Sequence, residues 1–393
     1  MKSIHIRTTL CAIVGICLFS PSALGYWVRP ALPTPSDGAV IATVGVPDCD
    51  FATLREAVSA VPSGSVLRLQ GGVFTEGGIS LDKDLFIVGA GPGVTIVQAS
   101  ESLESASERV FSIETGATVV IQGITMRYGH PLGECSRGGG AIANYGDLWL
   151  DGCVVSDNIG QCGGGLMNRD GNVTAFDSMF IRNHSDGGTD LRGVEGNGAG
   201  GGVKNIKGNM VLDGCTIADN VAKKKGGGVK NSCLGILTMV NCTVTGNDCK
   251  SGNVHLNGPA VIDHCTIAFN TAPFSLGAGI FVNSASIIRN TIVYGNTMGD
   301  VTVEWEDNAS PAQFVNVWIG DGRTGMGTYA GDPLLSSLAD HGGPTWTHLL
   351  LSGSGAIDAA IPTDGSPLVD QRGFPRACGA GTDIGAVEIE PTD

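Results

Sequence analysis

Four aspartates stand at related places in this glycine-rich sequence, each beside a short run of β-branched and apolar residues. They are Asp151, Asp177, Asp213 and Asp263. Carboxylate oxygens are ligands that Ca²⁺ prefers, so all four are candidate calcium ligands, and Asp263 is also a candidate catalytic residue. An Asp-Gly pair before a strand is equally an ordinary turn. The structural role therefore stays open beside the metal-binding one.

Two lysines are candidates for the base of such a site. Lys204 and Lys230 occupy the same place in two copies of a Gly-Gly-Gly-Val-Lys-Asn segment. In a strand, each lysine would point outward between an inward valine and an inward asparagine. Such a lysine can act as a base or bind the carboxylate of an acidic sugar, and the alternative is a solvated surface face.

The cysteines fall into a candidate disulfide and a repeated set. Cys135 and Cys162 each lie just ahead of a glycine triplet in adjacent repeats, which predicts a disulfide between them in an oxidising compartment. The repeated set predicts a column of small buried side chains. It comprises Cys153, Cys215, Cys242 and Cys265, with Ser178 in the matching place. The chain has no CxxC pair and no histidine cluster, which argues against a structural zinc site.

The elements that carry these residues repeat about every 25 residues. Two asparagine series keep this period independently. One series comprises Asn144, Asn168, Asn205, Asn231, Asn257 and Asn283, and the other comprises Asn158, Asn183, Asn220, Asn247, Asn270 and Asn296. Each repeat is a coil of short strands that cannot bury its apolar face alone, so successive coils must stack with their strands in parallel. The asparagines should then form side-chain amide ladders along the stack.

The two ends of the chain predict export and a capped solenoid. A basic start, an apolar run from Leu10 to Phe19 and a small-residue site near Gly25 are typical of a secretory signal over residues 1–25. A linker should cover residues 26–48. A capping segment should follow over residues 49–65, because the residues Phe51, Leu54, Ala57, Val58 and Val61 share one face at helical spacing.

The charge of the chain excludes several kinds of partner. The formal net charge is −15, and removal of a signal containing Lys2 and Arg7 makes it more negative. Nucleic acid and anionic membrane surfaces are therefore poor partners. No stretch outside the signal has the length of a membrane span. We expect a secreted or surface-exposed monomer.

Both ends of the chain resemble known families. The segment Asp50 to Val58, followed by Leu67-x-Leu69 and Gly72 to Glu76, resembles the opening of pectin-lyase-fold proteins, and Leu54 to Ala57 is similar to the core of the CSLREA domain. Five blocks between Asp332 and Glu388 resemble the choice-of-anchor Q domain of bacterial surface proteins. The resemblance implies an all-β fold, a right-handed parallel β-helix over residues 66–330, and a choice-of-anchor Q-like region over residues 331–393.

The same fold is shared by polysaccharide lyases, esterases and hydrolases, so each chemistry needs its own residues. The carboxylate blocks of polygalacturonases and pectin methylesterases are absent from the sequence. Ile262-Asp263-His264-Cys265 is similar to a pectate lyase segment in which a carboxylate holds calcium against an acidic sugar. The arginine pattern of that family is absent.

Three hypotheses follow for function. The first is a non-enzymatic, adhesin-like protein that binds a glycan, a component of the cell envelope or another protein, with no cofactor. The second is a calcium-dependent lyase of acidic polysaccharide that uses Asp263 with Lys204 or Lys230. The third is a structural spacer in the envelope.

Overall fold

The computed structural model describes residues 26–132, 138–187, 198–273, 277–304, 312–321, 329–363, 365–376 and 378–389. Within them the chain forms a right-handed parallel β-helix, as the sequence predicts. The neighbours of almost every strand are its copies in the preceding and following coils, and they pair with it in parallel.

One face of the solenoid is a sheet of ten parallel strands, here called sheet I. Its strands are β4 (Gly72–Thr75), β7 (Thr95–Gln98), β10 (Thr125–Arg127), β13 (Val154–Ser156), β16 (Met179–Ile181), β19 (Thr216–Ala218), β22 (Thr243–Thr245), β25 (Thr266–Ala268), β28 (Ile292–Tyr294) and β31 (Trp318–Ile319).

The other faces belong to a seventeen-strand sheet with two ladders. The first ladder contains β5 (Ile79–Leu81), β8 (Phe111–Ile113), β11 (Ile142–Asn144), β23 (Val254–Leu256), β26 (Ile280–Val282) and β29 (Val301–Val303). The second contains β2 (Ile41–Val44), β3 (Ser65–Leu69), β6 (Leu85–Val88), β9 (Thr118–Gln122), β12 (Asp147–Asp151), β24 (Ala260–Asp263), β27 (Ser286–Arg289) and β30 (Gln313–Val315). Three long strands join both ladders: β15 (Leu166–Phe176), β18 (Val203–Asp213) and β21 (Val229–Val240).

A short third sheet follows the asparagine turns in the middle coils. It contains β14 (Ile159–Gly160), β17 (His184–Ser185) and β20 (Val221–Ala222). The glycine triplets come after it and have little room for side chains. A Cβ at Gly201, for example, would lie 2.2 Å from the carbonyl oxygen of Gly227 in the next coil.

The interior contains one large apolar cluster that runs through the coils. The single helix of the described residues, α1 (Leu54–Ala60), closes its first end. Thr53 caps the helix by accepting a hydrogen bond from the Glu56 backbone, and Leu54, Ala57 and Val58 are buried. The capping helix is therefore confirmed. No helix in the described part of the chain is long and apolar enough to cross a bilayer.

The prediction of a linker over residues 26–48 is wrong in part. Strand β2 lies inside that range and pairs in parallel with β3, so it is the first rung of the second ladder. The start of the range forms β1 (Tyr26–Trp27), which pairs with β32 (Ser366–Pro367). The start of this range lies against the second ladder, where the side chains of Trp27 and Arg29 donate hydrogen bonds to Asp213. We call residues 26–40 the N-terminal strap.

The C-terminal region packs against the outer surface of sheet I. Gln371 accepts a hydrogen bond from the Thr243 hydroxyl at 2.6 Å, and the backbone N–H of Ala386 donates to the Thr266 hydroxyl at 3.1 Å. His348 Nε2 lies 3.0 Å from the Thr245 hydroxyl. The threonines that point out of sheet I in these coils thus hold the C-terminal region on the solenoid.

Candidate functional site

Three of the predicted calcium ligands share one row of the second ladder but are not neighbours in it. The row runs through Asp151, Phe176, Asp213, Val240 and Asp263 in successive coils. Neighbouring parallel strands lie about 4.8 Å apart, so carboxylates two coils apart are separated by roughly 10 Å. One Ca²⁺ binds oxygens at about 2.3–2.6 Å, which is too short a reach to join them through a single ion.

The carboxylates of Asp177 and Asp213 are both paired with one arginine of the N-terminal strap. Arg29 Nη1 lies 2.6 Å from Asp177 Oδ2, and its Nε lies 3.1 Å from Asp213 Oδ2. The indole N–H of Trp27 donates to the same Asp213 oxygen at 2.9 Å. Burial raises the pKa of Asp177, and Arg29 opposes that rise. A guanidinium thus lies where the calcium prediction would place an ion, which disfavours calcium binding by this pair.

Asp263 lies beneath the C-terminal region and is almost wholly buried. Its Oδ1 contacts His264 Nδ1 at 2.8 Å, and its Oδ2 lies 2.9 Å from Arg289 Nε. Burial lowers the pKa of His264 to about 4, and the nearby Arg376 guanidinium adds to this effect. The carboxylate of Asp263 is therefore closed to a polysaccharide in this structure, which disfavours a catalytic role for it. Across the described ranges, no three histidine, cysteine or acidic side chains converge as metal ligands would.

Lys204 and Lys230 are stacked, but they are not solvated. They are paired in the register of β18 and β21, and Lys230 in turn pairs with His255 of β23. Both lysines are 5 % exposed. Burial lowers the pKa of Lys204 to about 8 and that of Lys230 to about 7. The prediction of a solvated face is wrong, because the glycine turns pack against the lysine stems: a Cβ at Gly226 would lie 2.9 Å from Lys230 Cβ.

The lysines and Asp263 do not form one site. Along β21, Lys230 precedes Val240, the register partner of Asp263, by ten residues. At about 3.3 Å per residue this is a path of roughly 30 Å. A base must lie within hydrogen-bonding reach of the proton that it removes. The predicted combination of a calcium-binding Asp263 with a lysine base is therefore not assembled.

The structure instead displays side chains in a row along one turn of the solenoid. Each residue of this row follows a strand of sheet I and adopts the left-handed conformation, with φ between 54° and 57°. The row comprises Tyr128, Asp157, Arg182, Asp219 and Phe269, with Gly246 and Gly295 in the matching places of two further coils. We call it the turn row. Residues other than glycine rarely adopt this conformation, and such strain often concentrates at functional sites.

Charged and aromatic side chains project from the turn row into solvent. Arg182 forms a two-pronged pair with Asp157 in the preceding coil, at 2.8 and 2.7 Å. Asp219 leans over Gly246, where a Cβ would come within 2.4 Å of its Oδ1. Phe269 is 41 % exposed and leans over Gly295. The two glycines therefore leave room for the side chains of their neighbours.

Phe269 belongs to an aromatic group at one end of the turn row. Its ring meets Tyr294 edge-on with centroids 5.8 Å apart, and it meets His348 of the C-terminal region at 5.4 Å. Trp346, two residues before His348, is 37 % exposed. At the other end, the Arg127 guanidinium lies 4.7 Å from the centre of the Tyr128 ring.

A buried asparagine ladder fixes the turn row from behind. Each residue of the row except Tyr128, which Gly129 follows, directly precedes a ladder asparagine. The side-chain N–H of each ladder asparagine up to Asn270 donates to the next asparagine at 2.9–3.0 Å. The ladder runs from Asn158 to Asn296 and ends on the Asp300 carboxylate at 2.9 Å. A second ladder joins Asn144, Asn168, Asn205 and Asn231 at 2.8–3.0 Å. The predicted ladders are therefore present over these residues. The prediction is wrong for Asn257 and Asn283, because the register pairs Asn231 with Leu256 and Leu256 with Val282.

The column of small side chains is also buried as expected. Ser178 takes its place between Cys153 and Cys215 and accepts a hydrogen bond from the Cys153 backbone at 3.1 Å. Burial raises the pKa of the Cys153 thiol to about 12, so the thiol is unreactive. Cys162 is disulfide-bonded. Its predicted partner Cys135 lies outside the described residues, and the pairing of the two stays a prediction.

Two features of the candidate site escaped the sequence analysis. The turn row has a signal, because all its members except Tyr128 stand immediately before the repeated asparagines. The strap residues Trp27 and Arg29 have no such signal. They lie 186 and 184 positions from Asp213 in the sequence, and only the fold brings them together.

Comparison with solved structures agrees with the fold. The chain is similar to pectate lyase Pel9A, with 14 % identity, a TM-score of 0.50, and coverage of 92 % of this chain and 96 % of that one. A rhamnogalacturonan lyase aligns at 9 % identity and a TM-score of 0.41, over 80 % and 96 % of the two chains. Pectin methylesterase from carrot aligns at 13 % identity and a TM-score of 0.41, over 70 % and 91 %.

No family model matches the chain, and no curated protein matches it. The similarity to the CSLREA and choice-of-anchor Q domains therefore stays a prediction. The likeness to Pel9A shows the fold that the two proteins share, a right-handed parallel β-helix.

Proposed function

We propose that the protein is an exported β-helix that binds a linear, uncharged polysaccharide along the turn row without cleaving it. The turn row carries this proposal. Its positions repeat once per coil, every 4.8 Å or so, and a linear ligand parallel to the solenoid axis would meet a side chain in five of the seven coils and a glycine in the other two.

The chemistry of the row fits sugar rings. Exposed aromatic faces pack against the apolar C–H faces of a sugar, while carboxylates and guanidinium groups hydrogen-bond to its hydroxyls. Phe269 supplies the first kind of contact, and Asp219 and Arg182 supply the second. The glycines at 246 and 295 give the side chains of Asp219 and Phe269 the room to lean along the row.

The charge of the protein favours an uncharged ligand over an acidic one. The whole chain carries −15, and in the turn row Asp157 and Asp219 outnumber Arg182. A polyuronate would be repelled by this surface. The absence of cleavage is proposed because the expected base and carboxylate lie far apart, as measured along β21, and Asp263 is buried.

Retention on immobilised polysaccharides tests this proposal. We expect the protein to be retained on a neutral β-linked glycan and not on polygalacturonate. Phe269→Ala and Asp219→Ala should each reduce the affinity at least about tenfold, which corresponds to roughly 1.4 kcal/mol. Phe374→Ala is the matched control, because Phe374 is 43 % exposed and lies in the C-terminal region away from the row. Equal retention of all the variants would contradict the assignment of the turn row.

A further inference from the structure

A lysine, an asparagine and a histidine meet where β21 stacks on β23. Lys230 Nζ is in direct contact with the side-chain Oδ1 of Asn257, 27 positions later in the chain. His255 pairs with Lys230 in the register of the two strands. Because side chains alternate along a strand, His255 and Asn257 share a face, and Lys230 reaches diagonally across to the amide.

From this arrangement we infer that Lys230 and Asn257 are joined by an isopeptide bond that forms within the folded chain. The Nζ lone pair attacks Cγ of Asn257, a bond forms between Nζ and Cγ, and the bond from Cγ to Nδ2 breaks. One proton moves from Nζ to Nδ2, which leaves as ammonia. No oxidation or reduction occurs, so no further reactant is required.

The state of Lys230 suits a nucleophile. Only a neutral amine has the lone pair, and burial lowers the pKa of Lys230 to about 7, with the positive charges of Lys225 and Lys204 adding to the effect. A large fraction of the Lys230 side chain is therefore neutral near pH 7, whereas an exposed lysine would be almost wholly protonated.

His255 lies beside the reacting pair as a neutral imidazole. Its Nδ1 lies 3.1 Å from the Ser251 carbonyl oxygen, which can only accept a hydrogen bond, so Nδ1 carries the hydrogen and Nε2 has the free lone pair. Nε2 is buried and makes no hydrogen bond within the described residues. The Asn257 side chain lies beside the same imidazole. Burial and the positive charge of Lys230 lower the pKa of His255 to about 2, so the imidazole stays neutral and the proton passes from Nζ to the departing nitrogen without it.

Lys204 is a second buried lysine whose amine has a different partner from that of Lys230. It is as buried as Lys230 and stands one coil earlier, but its Nζ lies 3.0 Å from the sulfur of Cys162. The contact that its amine makes among the described residues is with a sulfur and not with a side-chain amide, so it lacks the partner that the reaction needs. Lys204 is therefore an internal control for the pairing of Lys230 with Asn257.

The isopeptide bond would link two neighbouring coils covalently. A stack of coils can open progressively from an end, since each coil contacts only its neighbours. A covalent link between β21 and the end of β23 stops that opening at the middle of the solenoid. It would act together with the disulfide of Cys162, two coils earlier, and would resist reducing conditions.

Peptide mapping of the purified chain tests the inference. The protein is unfolded, reduced, alkylated and digested with trypsin. The expected product is a branched peptide that joins residues 226–250, uncleaved at Lys230, to residues 251–289. Its mass should be lower than the sum of the two peptides by one ammonia. Fully separate peptides with an unmodified Asn257 from folded wild-type protein would overturn the inference, whether or not any variant folds.

Variants assign the roles within the cluster. Lys230→Arg and Asn257→Ser should abolish the branched peptide. Asn257→Asp should replace the loss of ammonia by a loss of water. Lys204→Arg should leave the branched peptide at the wild-type level. An unchanged branched peptide in Lys230→Arg would also contradict the assignment.

Discussion

Arg29 Nη1 lies 2.6 Å from Oδ2 of Asp177, although 148 positions separate the two residues in the chain. Through this contact the N-terminal strap is tied to the middle of the solenoid. Asp213, which the same guanidinium reaches, is 2 % exposed, so loss of the arginine leaves a buried carboxylate without its counter-charge.

Arg29→Ala should therefore lower the free energy of unfolding by about 3 kcal/mol, the usual cost of breaking a buried ion pair from one side. Urea denaturation followed by circular dichroism measures this change. Arg182→Ala is the control, because the side chains of Arg182 and Asp157 are 50 % and 30 % exposed. Loss of this exposed pair should lower the free energy of unfolding by at most about 1 kcal/mol. If the two substitutions lower the free energy of unfolding equally, the contacts of Arg29 do not stabilise the docking of the strap on the solenoid.

Calcium should leave the thermal stability of the wild-type protein unchanged. The carboxylates of Asp177 and Asp213 are already paired with Arg29, and ligand binding raises stability only if the native state has a site to bind it. Melting temperatures measured with chelator and with millimolar Ca²⁺ should coincide. A clear rise with Ca²⁺ would show that carboxylates of this chain bind the ion after all.

His264→Asn should flatten the loss of stability in acid. The pKa of His264 is about 4 in the folded chain because of burial, against about 6.5 in the unfolded chain. Between these values the unfolded chain binds more protons, so stability falls as the pH drops from 6.5 towards 4. The substitution removes this titration and keeps the left-handed turn, since Asn241 and Asn290 occupy the same turn in neighbouring coils with φ of 51° and 45°.

Unfolding curves at pH 7 and pH 4.5 test this prediction. The difference in unfolding free energy between the two pH values should be smaller in His264→Asn by about 2 kcal/mol. His348, whose pKa is also lowered by burial, titrates in both proteins and cancels in the comparison. An identical pH dependence in the two proteins would contradict the assigned burial of His264.

Asn247→Ala should lower the free energy of unfolding far more than Cys242→Ser does, although both sites are buried. Asn247 Oδ1 accepts hydrogen bonds from the backbone and the side chain of Asn220, and its Nδ2 donates to Asn270 at 2.9 Å. Its removal leaves buried groups unpaired, at a cost of about 2–4 kcal/mol. A serine at 242 can donate to the Val240 carbonyl as the thiol does, and Ser178 shows that the column accepts it. Chemical denaturation compares the two variants.

Thiol labelling of the native protein should separate the cysteines by position. Cys233 is exposed, while Cys153, Cys215, Cys242 and Cys265 are buried. Burial also raises the pKa of Cys215 and Cys242 well above the usual range, which removes the reactive thiolate. An alkylating reagent at neutral pH should therefore modify Cys233 rapidly and the column only after unfolding. Labelling of the column at the rate of Cys233 would show that the coils open readily.

The repeated part of the fold is predictable because every coil obeys the same local rule. Asn247 and Asn270 recur at the period of the coil, and a residue that must bury its amide in each turn leaves a visible spacing. Contacts between unlike segments leave no such spacing. Arg29 with Asp213 and Gln371 with Thr243 each occur once, so nothing in the sequence pairs them.

The candidate site was less predictable for a related reason. Asp151, Asp213 and Asp263 fall in one row as expected, but Phe176 and Val240 stand between them and prevent a shared ion. The burial of Asp213 and Asp263 depends on the strap and the C-terminal region, which lie outside the repeat. The exposure of Phe269 likewise follows from Gly295 in the next coil. The position of Phe269 in the sequence does not by itself reveal that exposure.

The most direct test of the proposed function is one assay that records binding and cleavage together. Purified mature protein is incubated with neutral and acidic polysaccharides, with and without Ca²⁺, while retention and the ultraviolet absorbance of unsaturated uronate are followed. The account predicts retention on a neutral glycan, dependent on Phe269, with no absorbance change on any substrate. Calcium-dependent release of unsaturated product from an acidic polysaccharide would contradict it and identify the protein as a lyase.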